Sequence, residues 1–475
     1  MSGPTHHCGV AGVVSKTPAI DYVHKALNVI QNRGQESCGI SYHDGTAVRS
    51  VRERGLVNWA LSMDNVGDVT ANAMIGHVGA NVSGCSDLAM AVQPLSVEST
   101  YGTVAIAFNG DLTNAAELRK KYLSAGWSFL TDTDAEIMAR LLSKQLSQNG
   151  GDCVKSIRGM MSEIDGAYTL AVIINDRVFG VRDPYGFRPL CLGEIDDGFM
   201  VVSESAAIDA VKGRILRDVR PGEIVEINAT GYRSHPMQTE QARAHCVFEW
   251  VYFARPDSII DGQEVYDVRK KIGIVLAKES PVDADIVMPV PDSGRAHALG
   301  YSIQSGLQYE EGFMKNRFVD RTFILPDSEL REKAVAMKMN PIRSTVRGRD
   351  IVLVDDSIVR GTTLKRLISL LRDAGANKIH VRVGCPPVTS PCYYGVDMKT
   401  RDQFIANFHG LEEIREILDA DSLAYISIGG MIEAVGIDER NLCLACVNGK
   451  YPTAVAGERQ RYQSTLQADF SKRVG

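Results

Sequence analysis

The sequence predicts an α+β domain of packed layers followed by an α/β domain built on a parallel sheet. Over residues 8–235, many short apolar segments of strand length are interrupted by only a few helical patterns. Beyond residue 285, strands and helices alternate, which is typical of a parallel sheet. The polar, aperiodic stretch 234-SHPMQTEQARAH-245 separates the two regions. A chain of 475 residues with 44% hydrophobic content is long enough for two or three domains.

The elements of both regions are predicted from local periodicity. Short apolar runs predict strands, and apolar residues three and four positions apart predict helices. In the first region the predicted strands are 9–14, 73–78, 103–108, 167–174 and 199–203, and the predicted helices are 114–126 and 134–146. In the second region the predicted strands are 285–290, 350–355 and 378–383, and the predicted helices lie near 294–306 and 361–375.

One long segment, 316–343, is basic at its ends and only weakly periodic. It predicts either a mobile loop that closes over a site or a surface excursion without function. The last twenty residues read as a polar tail.

Composition excludes several classes of protein. No apolar run reaches the roughly 18 to 20 residues that span a bilayer, and the start MSGPTHHCGV lacks the features of a secretory signal. The net charge is only −6, with acids and bases interspersed, so neither a nucleic-acid footprint nor a membrane anchor is expected. We therefore expect a cytoplasmic protein. In that reducing compartment its ten cysteines are buried thiols, a nucleophile or metal ligands.

The stretch 351-IVLVDDSIVRGTTLKR-366 carries the clearest chemical signal. It places two adjacent aspartates at the end of a predicted buried strand, an electrostatically costly arrangement. In a parallel α/β sheet the ligand crevice lies beyond this end of the strands. The following Ser, Gly and Thr residues predict an anion site at a helix N-terminus. Acids beside a phosphate cradle suit a phosphorylated sugar, whose hydroxyls the carboxylates bind while they stabilise charge at its anomeric carbon.

This string resembles the phosphoribosyl pyrophosphate motif of type I phosphoribosyltransferases. Its surroundings narrow the resemblance to the glutamine phosphoribosylpyrophosphate amidotransferase family, from about residue 8 to about residue 453. The segments that carry the resemblance are 246-CVFEWVYFARPDSIIDGQEVYDVRKKIG-273, 289-PVPDSGRAHALGY-301, 315-KNRFVDRTFI-324, 339-MNPIR-343, 386-PPVTSPCYYGVDM-398 and 443-CLACVNGKYPT-453.

The resemblance implies a two-site enzyme that opens purine synthesis. An N-terminal nucleophile hydrolase-like domain (8–235) releases ammonia from glutamine, and a type I phosphoribosyltransferase domain (246–460) transfers it to phosphoribosyl pyrophosphate. The products are 5-phosphoribosylamine, pyrophosphate and glutamate. A propeptide (1–7) would precede the first domain, and a polar tail (461–475) would follow the second.

The resemblance also implies roles for residues of the second site. Asp355 and Asp356 hold the ribose hydroxyls and, with Ser293, help to organise Mg²⁺, which neutralises the leaving pyrophosphate. The phosphate loop holds the 5′-phosphate; its residues are Ser357, Ile358, Val359, Arg360, Gly361, Thr362 and Thr363. Three cations, Lys315, Arg321 and Lys338, close over the pyrophosphate or are ordinary surface charges.

Cysteine spacing supplies a separate indication. Cys443 and Cys446 form a C-x-x-C pair, which alone is ambiguous among zinc, redox and cluster chemistry. Iron–sulfur members of the family use two more thiolates, and Cys246 and Cys392 stand at those positions. Four thiolates suit a structural [4Fe-4S] cluster, and zinc is the alternative. The other cysteines are expected to be core thiols or bystanders.

In the first domain, the resemblance makes Cys8 the nucleophile, with its own α-amine as the base once residues 1–7 are removed. Asn109 and Gly110 stand where the family builds its oxyanion hole, and Asp134 matches the acid that receives the substrate's amino group. Arg33 belongs to an Arg-Gly-Gln element in 31-QNRGQES-37.

One family element is missing. The sequence 76-GHVGANVSG-84 has Gly79 where the family has an arginine that grips the glutamine α-carboxylate. Losing that partner costs several kcal/mol unless another group substitutes. Three explanations are open. Arg33 compensates for the missing arginine, or the first domain uses another amide donor. In the third, the first domain is a catalytically silent lid, and the second site takes free ammonia.

These alternatives define three hypotheses: the full amidotransferase, an ammonia-dependent phosphoribosyltransferase paralogue, and a regulator that binds the sugar as a signal. The intact sugar-binding string and the absence of a basic DNA-reading segment disfavour the regulator. The resemblance further implies inhibition by purine nucleotides and a homo-oligomer, commonly a tetramer.

Overall fold

The computed structural model describes residues 8–79, 90–238, 242–316, 339–398 and 400–455. The predicted propeptide, the tail 461–475, Arg321 and Lys338 lie outside these residues. No helix within the described ranges is both long and apolar enough to cross a membrane.

The first domain consists of two antiparallel sheets packed face to face. Its strands are β1 (Cys8–Ser15), β2 (Ser37–His43), β3 (Val48–Arg54), β4 (Ala73–Gly79), β5 (Leu95–Ser99), β6 (Gly102–Leu112), β7 (Gly166–Ile174), β8 (Arg177–Arg182), β9 (Cys191–Ile195), β10 (Gly198–Val202), β11 (Arg214–Asp218), β12 (Ile224–Asn228) and β13 (Gly231–His235). One sheet has the order β11-β9-β10-β1-β4-β2-β3, and the other has the order β13-β12-β8-β7-β6-β5.

Helices cover the outer faces of both sheets, which gives four layers. They are α1 (Ile20–Val29), α2 (Val57–Ala60), α3 (Met63–Val66), α4 (Ala115–Ser124), α5 (Asp134–Gln148), α6 (Cys153–Glu163) and α7 (Ala206–Ala210). Small and β-branched side chains such as Val10, Ala105 and Ala171 fill the space between the sheets, where close approach requires small volumes. The larger Leu, Met and Tyr side chains pack between β6, β7 and α5.

The second domain is built on a five-stranded parallel sheet of order β18-β17-β21-β22-β23. Its strands are β17 (Ile286–Pro289), β18 (Gln308–Tyr309), β21 (Ile351–Asp355), β22 (Ile379–Val383) and β23 (Ser422–Tyr425). Short strands outside this sheet are β14 (His245–Cys246), β15 (Ile259–Ile260), β16 (Gln263–Glu264), β19 (Phe313–Lys315), β20 (Met339–Pro341) and β24 (Leu442–Cys443). A π-helix, Glu249–Phe253, precedes the sheet.

Helices lie on both faces of this sheet. They are α8 (Val265–Glu279), α9 (Arg295–Ser305), α10 (Arg343–Val346), α11 (Thr362–Asp373), α12 (Leu411–Leu418), α13 (Ile428–Val435) and α14 (Ala445–Asn448). Because β18 lies on one side of β17 and β21 on the other, the chain reverses direction across the sheet between β17 and β21. This is the place where a crevice opens beyond the carboxyl ends of the strands.

The predicted strands and helices are confirmed, with boundaries within four residues of those observed. The predicted loop 316–343 is wrong at its end, because Met339–Pro341 pairs with Phe313–Lys315 and Arg343–Val346 forms a helical turn. Residues 317–338 lie outside the described part of the chain.

Candidate active sites

Cys8 is the first residue of β1 and lies opposite Gly79 in the adjacent strand β4. A Cβ atom placed on Gly79 would stand 3.5 Å from Cys8 Sγ and only 2.6 Å from His77 Cε1. A side chain at position 79 would therefore have to displace the His77 imidazole. A glycine at position 79 therefore matches its surroundings.

Asn109 and Gly110 lie in β6 of the opposite sheet, and this strand packs against β1. Asn109 is 1% exposed, and its Nδ2 atom has no hydrogen-bond partner among the described residues. Gly110 has a φ of 151° and its added Cβ would meet the Ala167 carbonyl oxygen at 1.9 Å, so only glycine fits. A buried donor without a partner is costly, and it suits a developing oxyanion.

Asp134 begins α5, whose N-cap Thr133 accepts a hydrogen bond from the Glu136 N–H. Its Oδ2 atom accepts a hydrogen bond from the main-chain N–H of Leu112, 2.8 Å away, at the end of β6. The helix thereby fixes the Asp134 carboxylate close to the strand that carries Asn109 and Gly110. A carboxylate at this place is suited to bind an amino group.

Arg33 lies in a buried charge cluster that joins the two domains. Its Nε atom is 2.5 Å from Glu204 Oε1, and its Nη2 atom is 2.7 Å from Glu249 Oε2, in the π-helix. Arg188 Nη1 contacts Glu249 Oε1 at 3.0 Å, and Arg188 Nη2 donates to the Tyr394 carbonyl oxygen at 2.6 Å. This geometry favours a structural role for Arg33 over the predicted contact with glutamine.

His77 was not singled out by the sequence. It is 3% exposed between the two sheets, and neither ring nitrogen has a hydrogen-bond partner in the described ranges. Burial lowers the pKa of His77 to about 3, with the Phe108 main chain acting in the opposite direction. The imidazole next to Cys8 is therefore neutral at physiological pH.

At the second site, Asp355 ends β21 and Asp356 follows it, beside the end of β17. Both lie at the carboxyl ends of the strands, as predicted, and at the chain reversal between β17 and β21. The Asp356 N–H donates to Asp355 Oδ1 at 2.9 Å, and the Ser357 hydroxyl donates to Asp356 Oδ1 at 2.6 Å. Ser293 follows β17, and its hydroxyl also hydrogen-bonds Asp356.

Burial, and then the charge of Asp356, raise the pKa of Asp355 well above its usual range. Burial also raises the pKa of Asp356, against the opposing effects of the Ser293 and Ser357 hydroxyls and the Arg269 guanidinium. Arg269 is buried in α8 and donates to the main-chain oxygens of Trp250 and Ala254 at 2.7 and 2.8 Å. It is the cation that partly offsets the cost of the acidic pair.

The first five residues of the phosphate loop, 357–361, connect Asp356 to α11. Ile358 and Val359 are buried in the core, whereas Arg360 is exposed, so the loop offers main-chain groups rather than side chains at its centre. Within the described residues, no main-chain hydrogen bond is donated by the N–H groups of 357–361. Gly361, with a φ of 73°, is the N-cap of α11. Thr362 and Thr363 begin that helix, an arrangement that suits an anion.

Lys315 ends β19, and its Nζ atom lies 2.5 Å from Asp292 Oδ2 in the loop after β17. This places one of the three predicted cations at the mouth of the crevice.

The four cysteines predicted as ligands lie in three segments that meet at the domain junction. Cys246 is opposite Cys443 in the parallel pair of β14 and β24, and the main-chain oxygen of Cys446 accepts hydrogen bonds from Thr389 and Ser390. Burial raises the pKa of Cys246 to about 12, with the Arg188 guanidinium acting in the opposite direction. Tyr394 N–H points to Cys392 Sγ at 3.4 Å. Cys385, expected to be a bystander, also interacts with Cys446.

Neither site forms a metal cage by itself, because no three His, Cys, Asp or Glu side chains in the described ranges stand close enough to enclose an ion. The chemistry of both donor sets nevertheless fits the predicted groups. Mg²⁺ commonly takes one or two carboxylates and completes its shell with phosphate oxygens and water, whereas four buried thiols suit a cluster or zinc.

The two domains are in direct contact through the segment after Cys392. An added Cβ on Gly395 would lie 2.9 Å from the Gly110 carbonyl carbon and 3.1 Å from Arg188 Nη2. The second domain therefore supports the strand that carries the candidate oxyanion hole.

Known proteins show the same arrangement along nearly the whole chain. An amidophosphoribosyltransferase of Archaeoglobus fulgidus is 46% identical, over 95% of this chain and 99% of that protein. The chain belongs to the amidophosphoribosyltransferase family. The amidophosphoribosyltransferase of Bacillus subtilis is 39% identical, over 98% of this chain and 97% of that protein. A family model described as a glutamine amidotransferase domain matches residues 81–210.

A solved amidophosphoribosyltransferase structure, described as glutamine phosphoribosylpyrophosphate amidotransferase from B. subtilis complexed with ADP and GMP, is 38% identical. It superposes with a TM-score of 0.87 over 94% of this chain and 98% of that chain. Membership of the amidophosphoribosyltransferase family and the predicted order of an amidotransferase domain before a phosphoribosyltransferase domain are thereby confirmed.

Proposed function

We propose that this chain transfers ammonia released from glutamine to phosphoribosyl pyrophosphate, and so produces 5-phosphoribosylamine, pyrophosphate and glutamate. The observation that supports this proposal most strongly is the acidic pair Asp355–Asp356 with its phosphate loop at the chain reversal of the parallel sheet. The same chain carries Cys8 in β1, which packs against the strand β6 that holds the unpartnered Asn109 amide donor. Both half-reactions then have a site in one molecule.

In the first half-reaction, Cys8 attacks the side-chain amide of glutamine after residues 1–7 are removed. Its freed α-amine takes the thiol proton, since an amine with a pKa near 8 is partly unprotonated at neutral pH. Asn109 Nδ2 and the Gly110 N–H hold the oxyanion. The C–N bond breaks, ammonia leaves with the transferred proton, and water hydrolyses the thioester to glutamate. Asp134 holds the substrate's amino group.

In the second half-reaction, ammonia attacks the anomeric carbon and pyrophosphate departs. Asp355 and Asp356 accept hydrogen bonds from the ribose hydroxyls, and the loop from Ser357 to Thr363 binds the 5′-phosphate. Asp355, Asp356 and Ser293 would help to hold Mg²⁺, which would supply positive charge against the leaving pyrophosphate. Lys315 binds pyrophosphate oxygens from the mouth of the crevice, as do Arg321 and Lys338 in the segment that follows.

We also propose that Cys246, Cys392, Cys443 and Cys446 hold a structural [4Fe-4S] cluster, which ties the two domains together. The burial of Cys246, Cys443 and Cys446 and the donor chemistry of all four thiols support this proposal. Iron and acid-labile sulfide analysis of anaerobically purified protein should give about four of each per chain. One equivalent of zinc without sulfide would support the alternative.

Nucleotide control and assembly remain part of the proposal. The B. subtilis structure with ADP and GMP supports purine nucleotides as inhibitors here. From the family resemblance we expect a homo-oligomer, commonly a tetramer. We expect it to be located in the cytoplasm.

A nitrogen-donor assay tests the proposal. Pyrophosphate release should be driven by glutamine or by ammonium, and Cys8→Ala should abolish the glutamine-driven rate while ammonium still supports turnover. Ammonium-only turnover by the wild-type protein would support the ammonia-dependent paralogue, a candidate that Gly79 and the buried Arg33 favour. Turnover with neither donor would support the regulator.

A further inference from the structure

The α-carboxylate of glutamine needs a cation, and the expected sources near Cys8 do not provide one. Position 79 is glycine, and the ten residues that follow it, 80–89, contain no Lys, Arg or His. His77 is neutral, and Arg33 is committed to Glu204 and Glu249. An unpaired carboxylate in a partly buried pocket would bind poorly.

The sheet register brings another arginine to the same level. Cys8 is opposite Gly79, Gly79 is opposite Ser37, and Ser37 is opposite Arg54 at the end of β3. These four residues form one row across β1, β4, β2 and β3. Directly opposed residues in an antiparallel pair point to the same face, so Arg54 shares the face of Cys8.

Contacts of neighbouring residues confirm which face this is. On the same strand pair, Ser41 Oγ and Ser50 Oγ stand 2.7 Å apart, as expected for directly opposed side chains. Arg52, two residues from Arg54, donates from Nη1 to the Val92 carbonyl oxygen at 3.3 Å. Val92 is buried, and the side chain of its neighbour Gln93 accepts a hydrogen bond from the Phe108 N–H of the opposite sheet at 2.8 Å. This face of β3 is therefore the one that faces the Cys8 cleft.

Arg54 is available for a ligand. It is exposed, and it forms no ion pair or hydrogen bond with any other residue that the structure describes. The two residues between it and Cys8 in the row, Gly79 and Ser37, are small. Two strand spacings, or about 10 Å, separate the backbones of Gly79 and Arg54. A bound amino acid and an extended arginine side chain together fill this distance.

We propose that Arg54 binds the α-carboxylate of the amide donor and takes over the task of the arginine that position 79 lacks. Arg54 is thus a specificity-determining residue of the proposed glutaminase site, and the inference depends on that proposed function. The site would hold glutamine between Asp134 at its amino group and Arg54 at its carboxylate. Glutamine would therefore be preferred over glutamine α-amide, which lacks the negative charge.

Steady-state kinetics of Arg54→Gln tests this inference. The variant should raise the KM for glutamine about 10- to 100-fold, the usual range for losing a charge-assisted hydrogen bond, with a much smaller change in kcat. It should also lose the preference for glutamine over glutamine α-amide. Arg54→Lys should recover part of that preference, because it restores the positive charge.

Arg49→Gln is the matched control, because Arg49 lies on the opposite face of the same strand and pairs with Asp44 at 2.8 Å. It should leave the KM for glutamine near the wild-type value. An unchanged KM and an unchanged preference in Arg54→Gln, or an equal effect of Arg49→Gln, would overturn the inference while leaving the glutaminase intact. If the wild-type protein released no ammonia from glutamine, the proposed function itself would fail, and the inference with it.

Discussion

At the scale of single residues, Asp355 and Asp356 form a buried acidic pair whose protonation changes on folding. A carboxyl whose pKa is higher in the folded protein than in the unfolded chain binds its proton more tightly when folded. Its contribution to stability is therefore greatest below pH 4 and is lost as the pH rises from the unfolded pKa of about 4 towards the raised folded value. At neutral pH the pair destabilises the fold.

Asp355→Asn should therefore stabilise the protein in Mg²⁺-free buffer at pH 8. We expect the free energy of unfolding to rise by about 1–3 kcal/mol, and each kcal/mol should raise Tm by about 2–4 °C. This gain should shrink as the pH falls to 4. Turnover with phosphoribosyl pyrophosphate should fall at least about 100-fold, as for the loss of an electrostatic stabiliser. Calorimetric melting at pH 4 and pH 8 measures the stability change.

Asp196→Asn, in an exposed turn, is the control and should show no such pH dependence. A lower Tm for Asp355→Asn at pH 8 would contradict the interpretation of the pair.

The limits of sequence-based prediction are clearest for Arg33 and His77. The acidic pair and the phosphate loop could be predicted because their residue types are adjacent in the sequence, and Cys8 was predicted from the family resemblance. The partners of Arg33, namely Glu204 and Glu249, are 171 and 216 residues away, and no local pattern links them. The position of His77 between the sheets depends equally on long-range packing.

At the scale of elements, the phosphate loop depends on the left-handed conformation of Gly361. Gly361→Ala should cost about 1–2 kcal/mol in backbone strain, because Gly361 has a φ of 73°. It should also disturb the loop, because the added Cβ would lie 3.2 Å from Ile405 Cδ1 and 3.5 Å from Leu418 Cδ2. The KM for phosphoribosyl pyrophosphate should rise more than kcat falls. Initial-rate measurements with varied sugar concentration test this.

Gly436→Ala provides a matched control, because Gly436 has a φ of 71° and nothing lies within 4 Å of its added Cβ. It carries the same strain at the end of α13, away from the loop, and should leave that KM unchanged. Equal kinetic effects of the two substitutions would show that the conformation of Gly361 has no special role.

The elements themselves were predicted well because their periodicity is strong. The eight predicted strands and the helices α5, α9 and α11 follow local hydrophobic patterns that tertiary packing reinforces. The missed pairing of β19 with β20 joins short segments on either side of a long excursion, where periodicity carries little information.

At the scale of the whole molecule, the buried cluster of Arg33, Glu249 and Arg188 fastens the two domains together. Glu249→Gln should destabilise the protein by about 3–5 kcal/mol, because it leaves two buried arginines without their shared ionic partner. Urea unfolding followed by the fluorescence of the buried Trp250, the neighbour of Glu249, reports the change.

Glu226→Gln serves as the control, since its partner Arg177 is 44% exposed and the pair is worth less than about 1 kcal/mol. If Glu249→Gln unfolded at the same urea concentration as Glu226→Gln, the cluster would not be what holds the domains together.

The most direct measurement is a calorimetric titration of the wild-type protein with phosphoribosyl pyrophosphate in the presence of Mg²⁺. We expect saturable binding of one sugar per chain that requires Mg²⁺ and is lost in Asp356→Asn. The absence of binding to the metal-replete protein, or equal binding by Asp356→Asn, would contradict the proposal that the acidic pair and its loop hold the sugar.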